Sequence, residues 1–151
     1  PAAVGRNFMQ ALIHIKGTQI LEEQEPDTIE LTTCGTFFPT EGGYALSYTE
    51  GQGEDSTEVT LHIAGNRVTL ERTGSRSSIL ILEKQRRHHS QYSTPYGVLD
   101  MGTYATALDW ELTELGGTLD FAYTLGFNGS INSSHTVHIT VQEENTSCPI
   151  S

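Results

Sequence analysis

The chain of 151 residues is poor in several things, and each scarcity excludes something. It has two cysteines, Cys34 and Cys148, too few for the disulfide framework of a small secreted domain, and both are read as free thiols. Eight basic residues stand against nineteen acidic ones, a formal net charge of −11 at pH 7. Such a chain has no positive footprint for nucleic acid and no basic surface for anionic lipid, so neither partner is expected. Long apolar runs are missing too. The longest, Ile79 to Leu82, is far short of the roughly 20 residues that span a bilayer as a helix.

Catalytic signatures are equally absent. The sequence has no Gly-x-Ser-x-Gly elbow, phosphate loop, His-Glu-x-x-His, Cys-x-x-Cys or dinucleotide glycine fingerprint. No nucleophile can be placed beside a base, so an enzyme is the least supported class and no cofactor is expected. His135 and His138 lie three apart on one strand and therefore face opposite ways, so no metal site is expected either. The carboxylates Asp109, Glu111 and Asp120 fall on polar strand faces and read as solvated exterior.

What remains is strand patterning from end to end. The length predicts one domain, able to bury roughly 68–70% of its unfolded surface. Ala11, Ile13 and Ile15 alternate with polar positions up to Gly17, and a second strand covers about 28–38. Pro39 to Gly43 turns the chain toward Tyr44, Leu46 and Tyr48. Val59, Leu61 and Ile63 lead through Gly65-Asn66 to Val68, Leu70 and Arg72, and strands follow at 78–83 and 86–93. Tyr104, Thr106, Leu108, Trp110 and Leu112 form one alternating face, and Gly116-Gly117 is read as the next turn. Leu119 to Phe127 answers them, Asn128-Gly129 is the strongest hairpin signal, and His135 to Val141 closes the series.

Eight to ten antiparallel strands with short turns predict an all-β domain. A row of hairpins leaves open edges unless it closes, which favours a single up-and-down barrel over a two-sheet sandwich. The expected organisation is an unstructured leader over residues 1–8, with Met9 as the natural start, a barrel over 9–143 and a flexible tail over 144–151. Lacking a secretory h-region, the protein is expected in the cytoplasm.

Particular segments carry a family resemblance. They are Ile15-Lys16-Gly17-Thr18-Gln19, Asp27-Thr28-Ile29-Glu30-Leu31 with Gly35, Tyr44 to Tyr48, and Arg72-Thr73-Gly74. Further on come Arg87-His88 with Ser90 and Tyr92, Thr94-Pro95-Tyr96-Gly97, Met101-Gly102 with Tyr104, and Gly116-Gly117. In this order and spacing, from Met9 to about Glu143, the chain resembles the YwiB-like family of small bacterial proteins. That family is a domain of unknown function. The resemblance implies a calycin-type, lipocalin-like β-barrel and no assigned reaction.

Two clusters mark where function would sit. Six of the eight basic residues, Arg67, Arg72, Arg76, Lys84, Arg86 and Arg87, fall within 21 positions. Parity puts Arg72 with Val68 and Leu70, and His88 with Ser90 and Tyr92. Arg72, His88, Tyr92, Tyr96 and Tyr104 are therefore candidates to line the barrel interior and bind a small anionic or amphipathic ligand, since guanidinium and phenol donors suit a carboxylate or phosphate. The competing reading makes Arg72 a structural cation, paired to a carboxylate and stacked on an aromatic such as Trp110. The second cluster, Ile79, Leu80, Ile81 and Leu82, is apolar on both faces and must be covered, by a second copy in a homodimer or by another part of the chain.

Overall fold

A strand buries one face when apolar residues recur at every second position, and that pattern is realised here in ten strands. They are β1 (Met9–Leu21), β2 (Asp27–Thr40), β3 (Gly43–Glu50), β4 (Thr57–Ala64), β5 (Arg67–Gly74), β6 (Ser78–Glu83), β7 (Arg87–Thr94), β8 (Gly97–Thr113), β9 (Gly116–Phe127) and β10 (Ser130–Glu143). The computed structural model describes residues 9–21, 23–51, 53–74 and 77–144, with backbone alone at 92–94. The leader expected at 1–8, Arg76, Cys148 and nearly all of the expected tail lie outside the described residues. Among those described, helical structure is limited to one 3-10 turn, Gly53–Asp55. Among the described residues no helix is long and apolar enough to cross a membrane.

All ten strands belong to one antiparallel sheet in the order β6-β5-β4-β3-β2-β1-β10-β9-β8-β7. The first and last strands pair along most of their length, from Ala11↔Glu143 to Leu21↔Ser133. The seam therefore falls in mid-chain, between β6 and the β7–β8 hairpin. There Lys84 bridges Ala105 in parallel, the Gln85 amide donates to the Ala105 carbonyl at 2.7 Å, and Thr103 Oγ1 donates to the Ile81 carbonyl at 2.8 Å. The result is a nearly closed up-and-down barrel, and the sandwich is excluded because there is a single sheet.

The interior holds Ala11 and Ile13 of β1, Phe37 of β2, Leu46 of β3, Val59, Leu61 and Ile63 of β4, Val68 of β5, Leu82 of β6, Leu119 of β9 and Ile139 of β10, all essentially inaccessible. One end is closed by aromatics. Phe37 stacks on Tyr44 at 5.1 Å, Trp110 meets Tyr44 edge-on at 6.1 Å, and Trp110 Nε1 donates to the Gly65 carbonyl at 2.8 Å. The opposite end, where β1 meets β2 and β3 meets β4, splays. Below Gly35 the pairing of β2 with β3 stops, while its pairing with β1 continues to Asp27. We call this splayed end the mouth.

Several strand boundaries differ from the sequence expectation for definite reasons. β1 runs through Gly17 because that residue is paired on both sides, to Ile29 and Val137, and two neighbours outweigh one weak strand former. The turn before β9 is Glu114-Leu115 rather than the two glycines. Gly116 and Gly117 begin β9, where added Cβ atoms would lie 2.2 Å from the Val141 carbonyl oxygen and 1.9 Å from that of Glu111. β8 is broken by a bulge between Ala105 and Ala107, so its alternation changes phase. Met101, Thr103 and Ala105 face inward before the bulge and Leu108 and Leu112 after it, which leaves Tyr104 on the outer face.

Cys34 is disulfide-bonded, which corrects the free-thiol reading. Distance along the chain does not report distance in the sheet. Cys34 on β2 lies opposite Leu12, which on its other side lies opposite Gln142 near the end of β10.

Candidate functional site at the barrel mouth

The inner face of the mouth gathers polar groups that a filled core would exclude. Arg72 continues the inward face of β5 after the buried Val68 and Leu70. Cross-strand register places it in one row with Val59 and Tyr48, since Arg72 pairs with Val59 and Val59 with Tyr48. Tyr48 in turn lies opposite Gly35, where an added Cβ would meet the Ser47 carbonyl oxygen at 2.1 Å. Glycine at this point lets the phenol ring lie against β2.

Arg72 is held lightly. Its Nε reaches Glu50 Oε1 at 3.5 Å, and its side chain is 35% exposed. A pair this exposed contributes about 0–1 kcal/mol. Among the described residues, its two Nη atoms make no hydrogen bond. Trp110 belongs to the closed end and does not stack on Arg72. Arg72 instead acts electrostatically on two inward phenols, Tyr48 and Tyr123. Burial, followed by the Glu50 carboxylate, pushes the Tyr48 phenol up to about 12 against the easing effect of Arg72. Burial likewise raises Tyr123. Both phenols therefore remain neutral hydrogen-bond donors across the physiological range.

Beyond Tyr123 the wall continues onto β10. Its ring stacks on His135 at 4.7 Å and 9°, and Phe121 lies behind it at 6.0 Å. His135 Nε2 shares a 2.7 Å hydrogen bond with the buried Ser133 hydroxyl, and burial lowers the imidazole below its ordinary value of 6.5. A hydroxyl beside an imidazole is the minimal nucleophile–base contact, but no carboxylate orients this ring among the described residues, so the arrangement is a polar lining rather than a triad. His138 points outward to Asp120, opposite in sense to His135. No three potential metal ligands gather among the described residues.

The five residues singled out from the sequence do not converge. Arg72 stands in the mouth. His88 lies at the seam, where its Nε2 donates to Glu83 Oε1 at 2.8 Å. Glu83 also accepts from Arg67 Nη2 at 2.9 Å, and the His88 and Arg67 hydrogen bonds hold its carboxyl below the usual range. Tyr104 is outside, with the Arg87 guanidinium 5.8 Å from its ring centre, and Tyr96 is 99% exposed in the β7–β8 turn. Tyr92 pairs with Leu99 through its backbone, and its side chain lies outside the described residues. Tyr48, Tyr123, Ser133, His135 and Glu50 were not found by sequence reasoning. Parity marked Tyr48, Tyr123 and His135 as inward, but which inward residues share an end depends on register.

A hollow of about 310 Å³ lies at the opposite end, lined by Met9, Gln10, Pro39, Glu114, Leu115, Glu143 and Glu144. None of the five sequence candidates borders it. In the apolar segment on β6, Leu80 and Leu82 are buried, while Ile79 on the outer face is 49% exposed.

Comparison with known proteins agrees with this architecture. The crystal structure of the ywiB protein from Bacillus subtilis superposes with a TM-score of 0.80 over 92% of this chain and 94% of that one, at 18% identity, a level that speaks for the fold alone. No curated protein sequence matches. The family model described as "Domain of unknown function (DUF1934)" matches residues 13–139, and the chain belongs to that family.

Proposed function

We propose that the protein binds a small anionic, amphipathic ligand in the barrel mouth. The observation that carries this reading is the inward Arg72, whose Nη atoms have no partner among the described residues and which lies within electrostatic reach of Tyr48 and Tyr123. A guanidinium fork and two neutral phenols suit a carboxylate or phosphate oxygen. The half-buried Leu125, Phe127 and Val137 offer apolar wall for the rest of the molecule. A barrel of lipocalin-like build is consistent with such a role, although fold alone assigns none.

Titration calorimetry with decanoate and with decanol isolates the charge. Decanoate binds the full chain at least tenfold more tightly than decanol, and Arg72→Ala removes the difference while the melting temperature stays within a few degrees. Equal affinities, or an Arg72→Ala protein that does not fold, would instead make Arg72 the structural cation.

A second reading is a non-catalytic interaction barrel acting as a homodimer through Ile79 to Leu82. Its support is the exposed Ile79 on an edge strand. Sedimentation equilibrium decides it: a dimer at micromolar concentration that Ile79→Lys converts to monomer favours the interface. As to location, a disulfide-bonded Cys34 weighs against the cytoplasm, where such bonds are rare.

A further inference from the structure

We infer that His135 is a pH-sensitive second anchor for the anionic head of the ligand and takes up a proton as the anion binds. This rests on the ligand site proposed at the mouth and assigns its regulation. The chain has six histidines, and five of them face a carboxylate. His14 lies 3.2 Å from Glu30, His62 4.0 Å from Glu71, His88 2.8 Å from Glu83 and His89 3.3 Å from Asp100, and His138 is bonded to Asp120. His135 alone has no carboxylate partner among the described residues, in a chain that carries nineteen acids. It is half-buried, faces inward and stacks on Tyr123. An imidazolium placed there has no counter-ion from the described residues, and an anionic guest would supply one.

The groups around the ring are few. On β9 it meets Tyr123, and on β1 it lies opposite Gln19, which does not titrate; Asp27 of β2 lies beyond Gln19 in the same row. On β3 and β5 stand Tyr48, Glu50 and Arg72, the last within electrostatic reach of Tyr123. Neutral, the imidazole shares one proton with the Ser133 hydroxyl across 2.7 Å. Protonated, it donates from Nε2 to the Ser133 oxygen, so that the Ser133 hydroxyl proton and Nδ1–H are both available to an anion. By linkage, a bound anion raises the affinity for this proton by the same factor as the proton raises the affinity for the anion. Since burial holds the free imidazole below 6.5, anion affinity climbs as pH falls through that region and levels off beneath the free value.

The test titrates octane-1-sulfonate, anionic at every pH used, into the full-length chain at about pH 8 and about pH 5.5. Affinity is expected to rise about fivefold or more toward acid. Calorimetry near pH 6 in two buffers of different ionisation enthalpy is expected to show fractional proton uptake on binding. In proton NMR of the unaltered chain, the His135 ring should titrate at higher pH once the sulfonate is bound, while the other five histidines stay where they were. His135→Gln keeps a hydrogen-bonding side chain beside Ser133 and should bind with the parent's alkaline affinity at both pH values; His135→Phe, which retains the ring stack, is the second variant. Affinity independent of pH with no proton uptake, a pH dependence that survives in both variants, or a shift of the His88 titration in place of His135 overturns the assignment while leaving the mouth reading intact. No binding at either pH, or binding that Arg72→Ala does not weaken, overturns that reading and this inference with it.

Discussion

Arg72 and Tyr48 occupy one cross-strand row of the inward face, and the ionisation of the phenol is the residue-scale expression of that position. A phenol whose folded value is raised is stabilised in its neutral form. Its contribution to stability is complete below its ordinary value of 10.0 and is lost as pH rises through about 12. Absorbance titration of the folded protein should show one phenol ionising near pH 12, and Tyr48→Phe should abolish that step. His135 works in the other direction. Burial favours its neutral form, so its contribution is present above 6.5 and fades as pH falls through its lower folded value. Urea midpoints measured downward from pH 6.5 should fall for the parent and fall less for His135→Gln. The face of Arg72 was legible in the sequence because β5 alternates without interruption from Val68. The face of Tyr104 was not, because the β8 bulge inserts one residue and no pattern of residue types announces it. The contacts of Tyr48 and Tyr123 were also hidden, since alternation gives a residue's face but not its height in the barrel.

Strands and their joints decide which of these side chains meet. Gly35 sits where β2 parts from β3, and its missing Cβ accommodates the Ser47 carbonyl. Gly35→Ala should cost about 1–3 kcal/mol in urea denaturation, in the range of other forced overpacking. At the closed end, Trp110 ties β8 to the β4–β5 turn through the Gly65 carbonyl. Trp110→Phe loses that hydrogen bond and should destabilise by about 1 kcal/mol. At the seam, Glu83 receives His88 and Arg67 and is held below the ordinary carboxylate range. Its stabilising contribution is therefore present above that range and is lost as acid protonates it, a loss that Glu83→Gln should remove from the acid limb of the stability profile. Element existence was largely readable, because alternating runs punctuated by turn signals such as Pro39 to Gly43, Gly65-Asn66 and Asn128-Gly129 led to eight to ten strands. Element ends were less so: Gly17 lies between two partner strands, and Pro39 is carried within β2 opposite Tyr44.

At the scale of the molecule, a chain of hairpins whose first and last strands pair leaves its opening in mid-sequence, at the β6–β7 seam. The sequence argument that unpaired edges must be resolved led to the barrel, but not to where it stays open or to the splaying of β2 from β3. That splay makes the mouth, with Arg72 inside it, on a chain whose formal net charge is −11. Like charge on such a surface opposes the compact state, so raising salt from roughly 0.01 to 0.15 M should raise the melting temperature. The most direct measurement of the central claim is an amide and arginine side-chain NMR titration of the whole chain with decanoate. The account predicts saturable shifts centred on Arg72, Tyr48, Tyr123 and His135. Shifts centred instead on Met9, Glu114 and Leu115 at the opposite end, or none at millimolar decanoate, would contradict it.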